Sequence, residues 1–303
     1  MRVIGKVKNG NYNLILCDDG TKIRMNKENS LIPEKPESLD YKITNKCDRG
    51  CKFCHENSTP DGCHGDIMND KFIETLMPMT ELAVGGGNPL EHPDLIPFLE
   101  KCKSLRLIPN MTVNQFHFMN NQELIRRLVD EKLIYGLGVS LVSPTPEFIE
   151  LVSTYKNAVI HIINGVHPVD TIKKLYDKNL KILILGYKTF RRGNDYLETR
   201  GSEVTCGMAS MYTELDEMFK RFAVVSFDNL ALKQLEVQSR LSPEQWEEFY
   251  MGNDGTFTLF IDSVNKTYSR SSTTPVEERK ALLDDIVPMF NDIRSAGGNE
   301  LYA

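Results

Sequence analysis

A loop early in the chain brings three cysteines into a short stretch of sequence: Cys47, Cys51 and Cys54. Thiolates at this C-x3-C-x2-C spacing can converge on one centre, because the short backbone between them can fold back. A structural zinc ion takes four protein ligands. His55 or Cys63 could supply the fourth, so a zinc site is one interpretation of this loop. A centre that needs only three protein ligands is the other.

Composition and charge restrict the setting in which these cysteines act. The N-terminus has no apolar signal region, and no apolar run approaches the roughly 20 residues that span a bilayer. We therefore expect a cytoplasmic protein with no membrane segment, in which clustered cysteines bind metal or do chemistry rather than form disulfides. The net charge of −6 argues against a nucleic-acid partner, because surfaces that bind nucleic acids are usually basic.

The elements that must position the cysteines alternate between strand and helix from Leu39 onward. Six strands are predicted, in "LDYKIT", "ELAVGG", "PNMTVN", "GLGVSLV", "AVIHIIN" and "KILILGY". Helices are predicted at 70–77, 93–103, 121–131, 146–155 and 168–177. This alternation predicts a parallel α/β sheet, a partial (β/α)6 TIM-like barrel. A Rossmann-type open sheet is the main alternative, although no G-x-G-x-x-G follows an early strand.

Segments before and after the alternating region have a different character. Turn signals at Asn9-Gly10 and Asp19-Gly20 separate three short strands, which predicts an N-terminal β-meander. After Gly193 we expect one more strand, a short capped helix, a hairpin in "GTFTLFIDSVNKTYSRSS" and a closing helix interrupted or kinked at Pro288. The predicted divisions are 1–38 for the meander and linker, 39–193 for the barrel, and 194–303 for a C-terminal α/β extension over the barrel mouth.

The cysteine spacing, with Phe53 before the last cysteine and a strand before the loop, resembles the radical S-adenosylmethionine (SAM) superfamily. The resemblance covers roughly residues 39–193. It implies that the three cysteines hold three irons of a [4Fe–4S] cluster, and that SAM occupies the fourth iron. An electron, from a donor such as flavodoxin or ferredoxin, then cleaves SAM to a 5′-deoxyadenosyl radical. The absence of a fourth cysteine is thereby explained.

A glycine turn after the second predicted strand extends the resemblance. "GGGNPL" stands where the family often has a Gly-Gly-Glu-Pro turn that contacts the SAM amine, which implicates Gly86, Gly87, Asn88 and Pro89 as cofactor-binding residues. Asn88 departs from this pattern because it replaces an acidic residue. Its amide oxygen can still accept a hydrogen bond from an ammonium group, but without the charge.

Other polar residues end the later strands. Side chains at the carboxyl ends of barrel strands face the site. Four of them are therefore candidates for contacts with the ribose, adenine or carboxylate of SAM or with the substrate: Asn114, Ser140, Asn164 and Lys188.

The C-terminal extension carries three candidate catalytic residues. Cys206 could donate hydrogen to a product radical, and Asp228 and Tyr250 could grip a substrate. The hairpin is similar to that of a SPASM or twitch extension, with Ser271–Thr273 where a ligand cysteine is expected. Because no further cysteines are grouped, we expect a clusterless relative of that hairpin.

These observations together predict a radical SAM enzyme that abstracts hydrogen from a peptide or protein side chain. A nucleoside or another small molecule is the alternative substrate. A non-catalytic metal-binding protein on the same barrel is the alternative from another class, and the substitution at Asn88 is the feature that favours it.

Overall fold

A computed structural model describes residues 1–28 and 30–296 of the protein. The N-terminal segment forms a three-stranded antiparallel sheet in the order β1-β2-β3, with strands at Val3–Asn9, Tyr12–Cys17 and Lys22–Met25. The turn between β1 and β2 depends on Gly10, whose φ is +56° and whose missing Cβ would lie 1.9 Å from a neighbouring carbonyl oxygen. The predicted meander is confirmed.

A large sheet of ten strands forms the body of the molecule. Its six central parallel strands coincide with the six predicted ones: β4 at Ser38–Thr44, β5 at Glu81–Gly86, β6 at Ile108–Asn114, β7 at Gly136–Ser140, β8 at Ala158–Ile163 and β9 at Lys181–Leu185. They lie side by side in chain order, as repeated β-α-β units require. The α/β fold with a parallel sheet is confirmed.

Strands from the C-terminal segment extend both sides of this sheet. β10 at Val224–Phe227 pairs in parallel with β9. β11 at Thr258–Asp262 pairs in parallel with β4, and an antiparallel edge follows it: β12 at Thr267–Ser269 and β13 at Lys280–Ala281. The predicted hairpin is therefore β11-β12, and it lies next to the strand that leads into the cysteine loop. The boundaries after residues 38 and 193 stay predictions.

The helices follow the strands, and their bounds are these: α1 Leu95–Ser104, α2 Gln115–Asn120, α3 Gln122–Asp130, α4 Pro146–Ser153, α5 Val169–Lys173, α6 Arg192–Arg221, α7 Asn229–Gln234, α8 Pro243–Phe249 and α9 Ile286–Ala296. Short 3₁₀ turns lie at Lys71–Thr75, Pro89–Glu91, Val237–Arg240 and Val276–Glu278. The helix predicted at 70–77 is thus a 3₁₀ turn. The predicted closing helix is shorter than expected. Pro288 lies in the first turn of α9, where no N–H is needed, so it causes no kink.

The long helix α6 was not predicted. Its glycines are typical helix breakers, and its backbone leaves helical geometry at Arg200. The structure gives Gly207 a packing role, because a Cβ there would lie 3.0 Å from the carbonyl oxygen of Gly165. Close helix–loop packing therefore accounts for this glycine.

The two faces of β4 divide the packing core from the site. Leu39 and Tyr41 are buried on one face, where the Tyr41 ring packs 5.7 Å from Phe72 and 5.6 Å from Phe98. Alternation along the strand directs Asp40 and Lys42 to the opposite face. None of the helices in the described ranges has the length and apolar composition that crossing a bilayer requires.

Candidate active site

The cysteine loop begins directly after β4 and folds back on itself. The Cys47 N–H donates to the carbonyl oxygen of Thr59 at 2.8 Å, and the Cys54 N–H donates to that of Cys51 at 3.2 Å. All three cysteines are half-buried and unbridged. The backbone therefore holds the three thiols in one loop at the carboxyl end of the sheet.

Charge around the thiols favours a bound cationic centre. Burial raises the pKa of the Cys51 thiol, and the neighbouring Cys54 raises it further, whereas the guanidinium groups of Arg49 and Arg192 lower it. Burial also raises the pKa of Cys47. Thiolates are the species that bind metal. Three thiolates in a half-buried loop repel one another, and a metal centre together with the two arginines would offset that repulsion.

The spacing of the sulfur atoms bears on which centre fits. In the described part of the chain, at least two of the three cysteine sulfur atoms lie more than 4.8 Å apart. Thiolates on a single zinc ion, each at about 2.3 Å, would lie about 3.8 Å apart. The proposed fourth zinc ligands also have other surroundings. Cys63 is exposed, and Nε2 of His55 lies 3.2 Å from the Lys188 ammonium. A single zinc ion would therefore require the three sulfur atoms to move closer together.

The glycine turn after β5 lies directly against the start of the cysteine loop. The Gly87 N–H donates to the Thr44 carbonyl at 2.8 Å, and the Asn88 N–H donates to the Lys46 carbonyl at 2.7 Å. A Cβ on Gly87 would lie 2.2 Å from the Lys46 oxygen, and Gly86 has a φ of +112°. Both glycines are therefore required by the close approach of two backbones.

Asn88 has hydrogen bonds that the sequence did not indicate. The side chain is 3% exposed, and its Oδ1 accepts from the Leu90 N–H at 3.3 Å, which caps the 3₁₀ turn that begins at the buried Pro89. Its Nδ2 donates to Oε1 of Glu91 at 3.0 Å. The contact between Asn88 and the SAM amine stays a prediction.

Two of the predicted strand-end residues lie side by side. Asn114 ends β6 and Ser140 ends β7, and the two are partners across the parallel pair. Oδ1 of Asn114 accepts from the Phe116 N–H at 2.9 Å and so caps α2. Ser140 is half-buried at the same edge of the sheet.

The other two strand-end residues connect the sheet to the C-terminal segment. Asn164 is fully buried and donates from Nδ2 to Gln234 at 3.1 Å, while its Oδ1 has no hydrogen-bond partner in the described ranges. The Lys188 ammonium lies 3.2 Å from His55 and donates to Ser272 at 2.9 Å. Lys188 thus joins the cysteine loop to the Ser271–Thr273 segment.

The remaining predicted site residues have separate surroundings. Phe53 packs edge-to-face on Tyr196 of α6 at 5.9 Å. Cys206 is exposed on α6. Oδ1 of Asp228 accepts from the Gly186 and Ala231 N–H groups and caps α7.

Tyr250 lies at the end of α8. Its ring stacks on Trp246 at 4.4 Å, and its hydroxyl group donates to Asn253 at 2.7 Å. The catalytic roles of Cys206, Asp228 and Tyr250 stay predictions.

A buried charge cluster on β4 was missed at the level of sequence. The Lys42 ammonium is 2.7 Å from the Glu56 carboxylate and 3.1 Å from Asp262 on β11. Arg191 and Arg279 lie further out, at 3.6 Å from Glu56 and 3.5 Å from Asp262. Because Glu56 follows the last cysteine by two residues, this cluster fixes the end of the cysteine loop to the sheet.

Asp40 is a second residue that was missed at the level of sequence. Protein surrounds its carboxylate, yet the side chain stays accessible and has no hydrogen bond or ion pair in the ranges described, so it lies on the wall of an internal space. Burial raises its pKa to about 6. Lys188 lowers that pKa, and three nearby acidic residues raise it: Asp254, Asp228 and Glu56. The alternation in "LDYKIT" was the signal that could have identified it.

His161 on β8 lines the same face of the sheet. Burial lowers its pKa to about 4, so the ring is neutral at physiological pH. It lies against β7, because a Cβ on Gly138 would be 2.6 Å from Nε2 of His161 and 2.6 Å from the hydroxyl group of Thr112. The sheet interior therefore presents polar groups of several kinds to a ligand.

Sequence comparison finds a similarity between about half of this chain and a curated protein. No family profile matches the chain. A curated relative, the probable GTP 3′,8-cyclase of Methanocaldococcus jannaschii, is 26% identical over 164 residues, which cover 50% of this chain and 49% of the relative. The matched region thus spans about half the length of that relative.

Structural comparison finds the same fold in SuiB of Streptococcus suis. SuiB bound to its precursor peptide SuiA superposes with a TM-score of 0.62 at 15% identity, over 88% of this chain and 67% of that one. SuiB bound to S-adenosylmethionine gives a TM-score of 0.57 at 14% identity, over 89% and 68%. The parallel sheet of this chain thus has the fold of these structures, and about half of the chain is similar in sequence to the curated relative.

Proposed function

We propose that the protein is a radical SAM enzyme that reductively cleaves SAM and abstracts hydrogen from a substrate in the sheet interior. One observation carries this proposal: the glycine turn is hydrogen-bonded through Gly87 and Asn88 to the first residues of the cysteine loop. A turn that binds SAM must lie beside the metal centre, and these two backbone contacts support that position for the glycine turn.

The donor set fits a [4Fe–4S] cluster held by the three loop cysteines: Cys47, Cys51 and Cys54. When bound, the cluster supplies the electron that cleaves the sulfonium group of SAM. The chain contributes position and charge. Arg49 and Arg192 offset the negative charge of the thiolates, and the ion pairs of Lys42 hold the loop end.

Polar groups along the carboxyl edge of the sheet would orient SAM. Asn114 and Ser140 are neighbours and can reach one ligand together. Oδ1 of Asn164 is a buried acceptor without a partner among the residues described, which suits a ligand hydroxyl or amino group. Lys188, beside His55, is a cation suited to the SAM carboxylate or to a substrate carboxylate.

A peptide or protein side chain is the substrate that we favour. The supporting observation is the likeness to SuiB, which was solved with a precursor peptide bound. The accessible carboxylate of Asp40 in the sheet interior suits a substrate group that donates hydrogen bonds. A nucleoside is the second candidate, and the relative named as a probable GTP 3′,8-cyclase supports it. Flavodoxin or ferredoxin is the expected electron donor.

Formation of 5′-deoxyadenosine tests this function. Protein reconstituted anaerobically with iron and sulfide should release 5′-deoxyadenosine from SAM when dithionite is added, and the variant with all three loop cysteines changed to alanine should not. If the parent protein loads its cluster but yields no 5′-deoxyadenosine, the proposed activity is wrong and the non-catalytic metal-binding protein is the remaining interpretation. A deuterium label distinguishes the two substrate classes. Transfer of deuterium into 5′-deoxyadenosine from a labelled peptide that is encoded beside the gene indicates a peptide substrate, and transfer from labelled GTP indicates a nucleoside substrate.

A further inference from the structure

Position 88 carries a neutral asparagine where the similar turn in the family often has an acidic residue. The negative charge that would pair with the ammonium group of SAM is therefore not at this position. If SAM binds at the glycine turn, its ammonium group arrives beside Asn88, which is neutral. The Asn88 side chain is also nearly inaccessible, and its oxygen already accepts from the Leu90 N–H. A different group must supply the negative charge.

Glu91 has the position that this role requires. It is exposed, three residues after Asn88 at the end of the same 3₁₀ turn, and Nδ2 of Asn88 donates to its Oε1 at 3.0 Å. That bond fixes the carboxylate and leaves Oε2 available. No ion pair involves Glu91 in residues 1–28 and 30–296, so its charge is not neutralised by a lysine or an arginine.

The carboxylate also lies beside the metal-binding loop. Side-chain ligand atoms of Glu91, Asp48 and His117 all lie within 4.8 Å of one another, and Asp48 follows Cys47 directly. Nε2 of His117 is 2.7 Å from Asp48, so the charge of Asp48 is already engaged. Glu91 is the carboxylate of the group with no such partner.

We infer that Glu91 binds the ammonium group of SAM, and that Asn88 is a positioning residue that orients the Glu91 carboxylate. This inference rests on the proposed function, since it assumes that SAM binds at this turn. It assigns the missing charge to a residue one 3₁₀ turn along the chain. A carboxylate–ammonium hydrogen bond is charge-assisted and stronger than an amide–ammonium one.

Exchange of the two residues tests the assignment. Glu91→Gln should weaken SAM binding by about tenfold to a hundredfold, which corresponds to about 1.4–2.8 kcal/mol. Asn88→Asp should also weaken it, because two carboxylates would then lie about 3 Å apart and repel. The double variant Asn88→Asp with Glu91→Gln restores one charge beside one amide. That charge lies on the nearly inaccessible side chain at position 88, so we expect the affinity of the double variant to stay about tenfold to a hundredfold below that of the parent, and recovery to the parent's affinity would overturn the assignment to Glu91.

Affinity is measured by calorimetry with SAM on anaerobically reconstituted protein, and iron content confirms that each variant is folded and loaded. Glu100→Gln, at an exposed glutamate on α1, is the matched control and should bind like the parent. A SAM analogue with hydrogen in place of the amine should bind parent and Glu91→Gln equally. If the parent binds SAM and Glu91→Gln binds it equally well, the inference is wrong while the proposed function stands. If the loaded parent binds no SAM, both fail.

Discussion

Replacement of Lys42 by methionine should destabilise the protein, because the carboxylates that pair with Lys42 stay buried without its positive charge. Methionine keeps most of the aliphatic volume and removes only the ammonium group. That group lies 2.7 Å from Glu56 and 3.1 Å from Asp262, and all three side chains are buried or nearly so. Without it, two buried carboxylates lose their nearest cation.

The size of the effect follows from what remains around these carboxylates. Removal of one partner from a buried ion pair costs about 3–5 kcal/mol. Arg191 and Arg279 remain within 3.6 Å and 3.5 Å of the two carboxylates, so we expect the lower end of this range, about 3 kcal/mol. For 303 residues the unfolding entropy is about 0.6 kcal/mol per kelvin, so Tm should fall by about 5 °C.

Thermal unfolding followed by circular dichroism measures this change, with Lys71→Met as the matched control. Lys71 is 2.8 Å from Asp284, but both side chains are more than two-thirds exposed, so the control should unfold like the parent. If Lys42→Met also unfolds within about 1 °C of the parent, the buried cluster does not stabilise the site, and the argument for it is refuted.

Three further predictions concern the interior, the turn and the other cysteines. Because the pKa of Asp40 is raised to about 6, folding favours its protonated form, and this residue makes stability fall as pH rises from about 4 to 6. Asp40→Asn should therefore raise the free energy of unfolding at pH 7.5 by about 1–2 kcal/mol, a figure that allows for solvent in the interior. At pH 3.5 the free energy of unfolding should not change. Urea unfolding at the two pH values measures both. Gly87→Ala places a Cβ 2.2 Å from a loop carbonyl oxygen and should weaken SAM binding in calorimetry by at least about tenfold, whereas Gly201→Ala, with open space around it, should not. Cys63→Ser and Cys206→Ser should keep the parent's iron content, and a lower content would place either cysteine among the ligands.

Features that depend on neighbours in sequence were predictable. The six central strands alternate with helices within short windows, and their apolar runs mark them as buried. The cysteine loop and the glycine turn are likewise local patterns. Because each directly follows a predicted strand, the sequence alone places both at strand ends.

Features that depend on distant contacts were not predictable. The pairing of β11 with β4 joins segments more than 200 residues apart, and no local pattern encodes strand order. The glycines of α6 predict a break, but Gly207 is set by the backbone of Gly165 across the fold. Lys42 looked like an ordinary strand residue, because Asp262 comes from that same distant strand.

The site shows the same limit at closer range. Asn88 departs from a familiar turn, and the motif alone therefore assigns the SAM contact to it. Asn88 donates a hydrogen bond to Glu91, whose carboxylate lies outside the motif. Only the side-chain geometry of the turn distinguishes these two residues.

In the proposed enzyme, three cysteines hold a cluster with one iron open to SAM. The EPR spectrum of the dithionite-reduced, anaerobically reconstituted protein, recorded with and without SAM, tests it most directly. We predict a signal of a reduced [4Fe–4S] cluster with about four irons per chain, whose shape changes when SAM is added, and no signal in the variant Cys47→Ala, Cys51→Ala, Cys54→Ala. A spectrum that SAM leaves unchanged, or a cluster signal that survives loss of the three cysteines, would contradict the account.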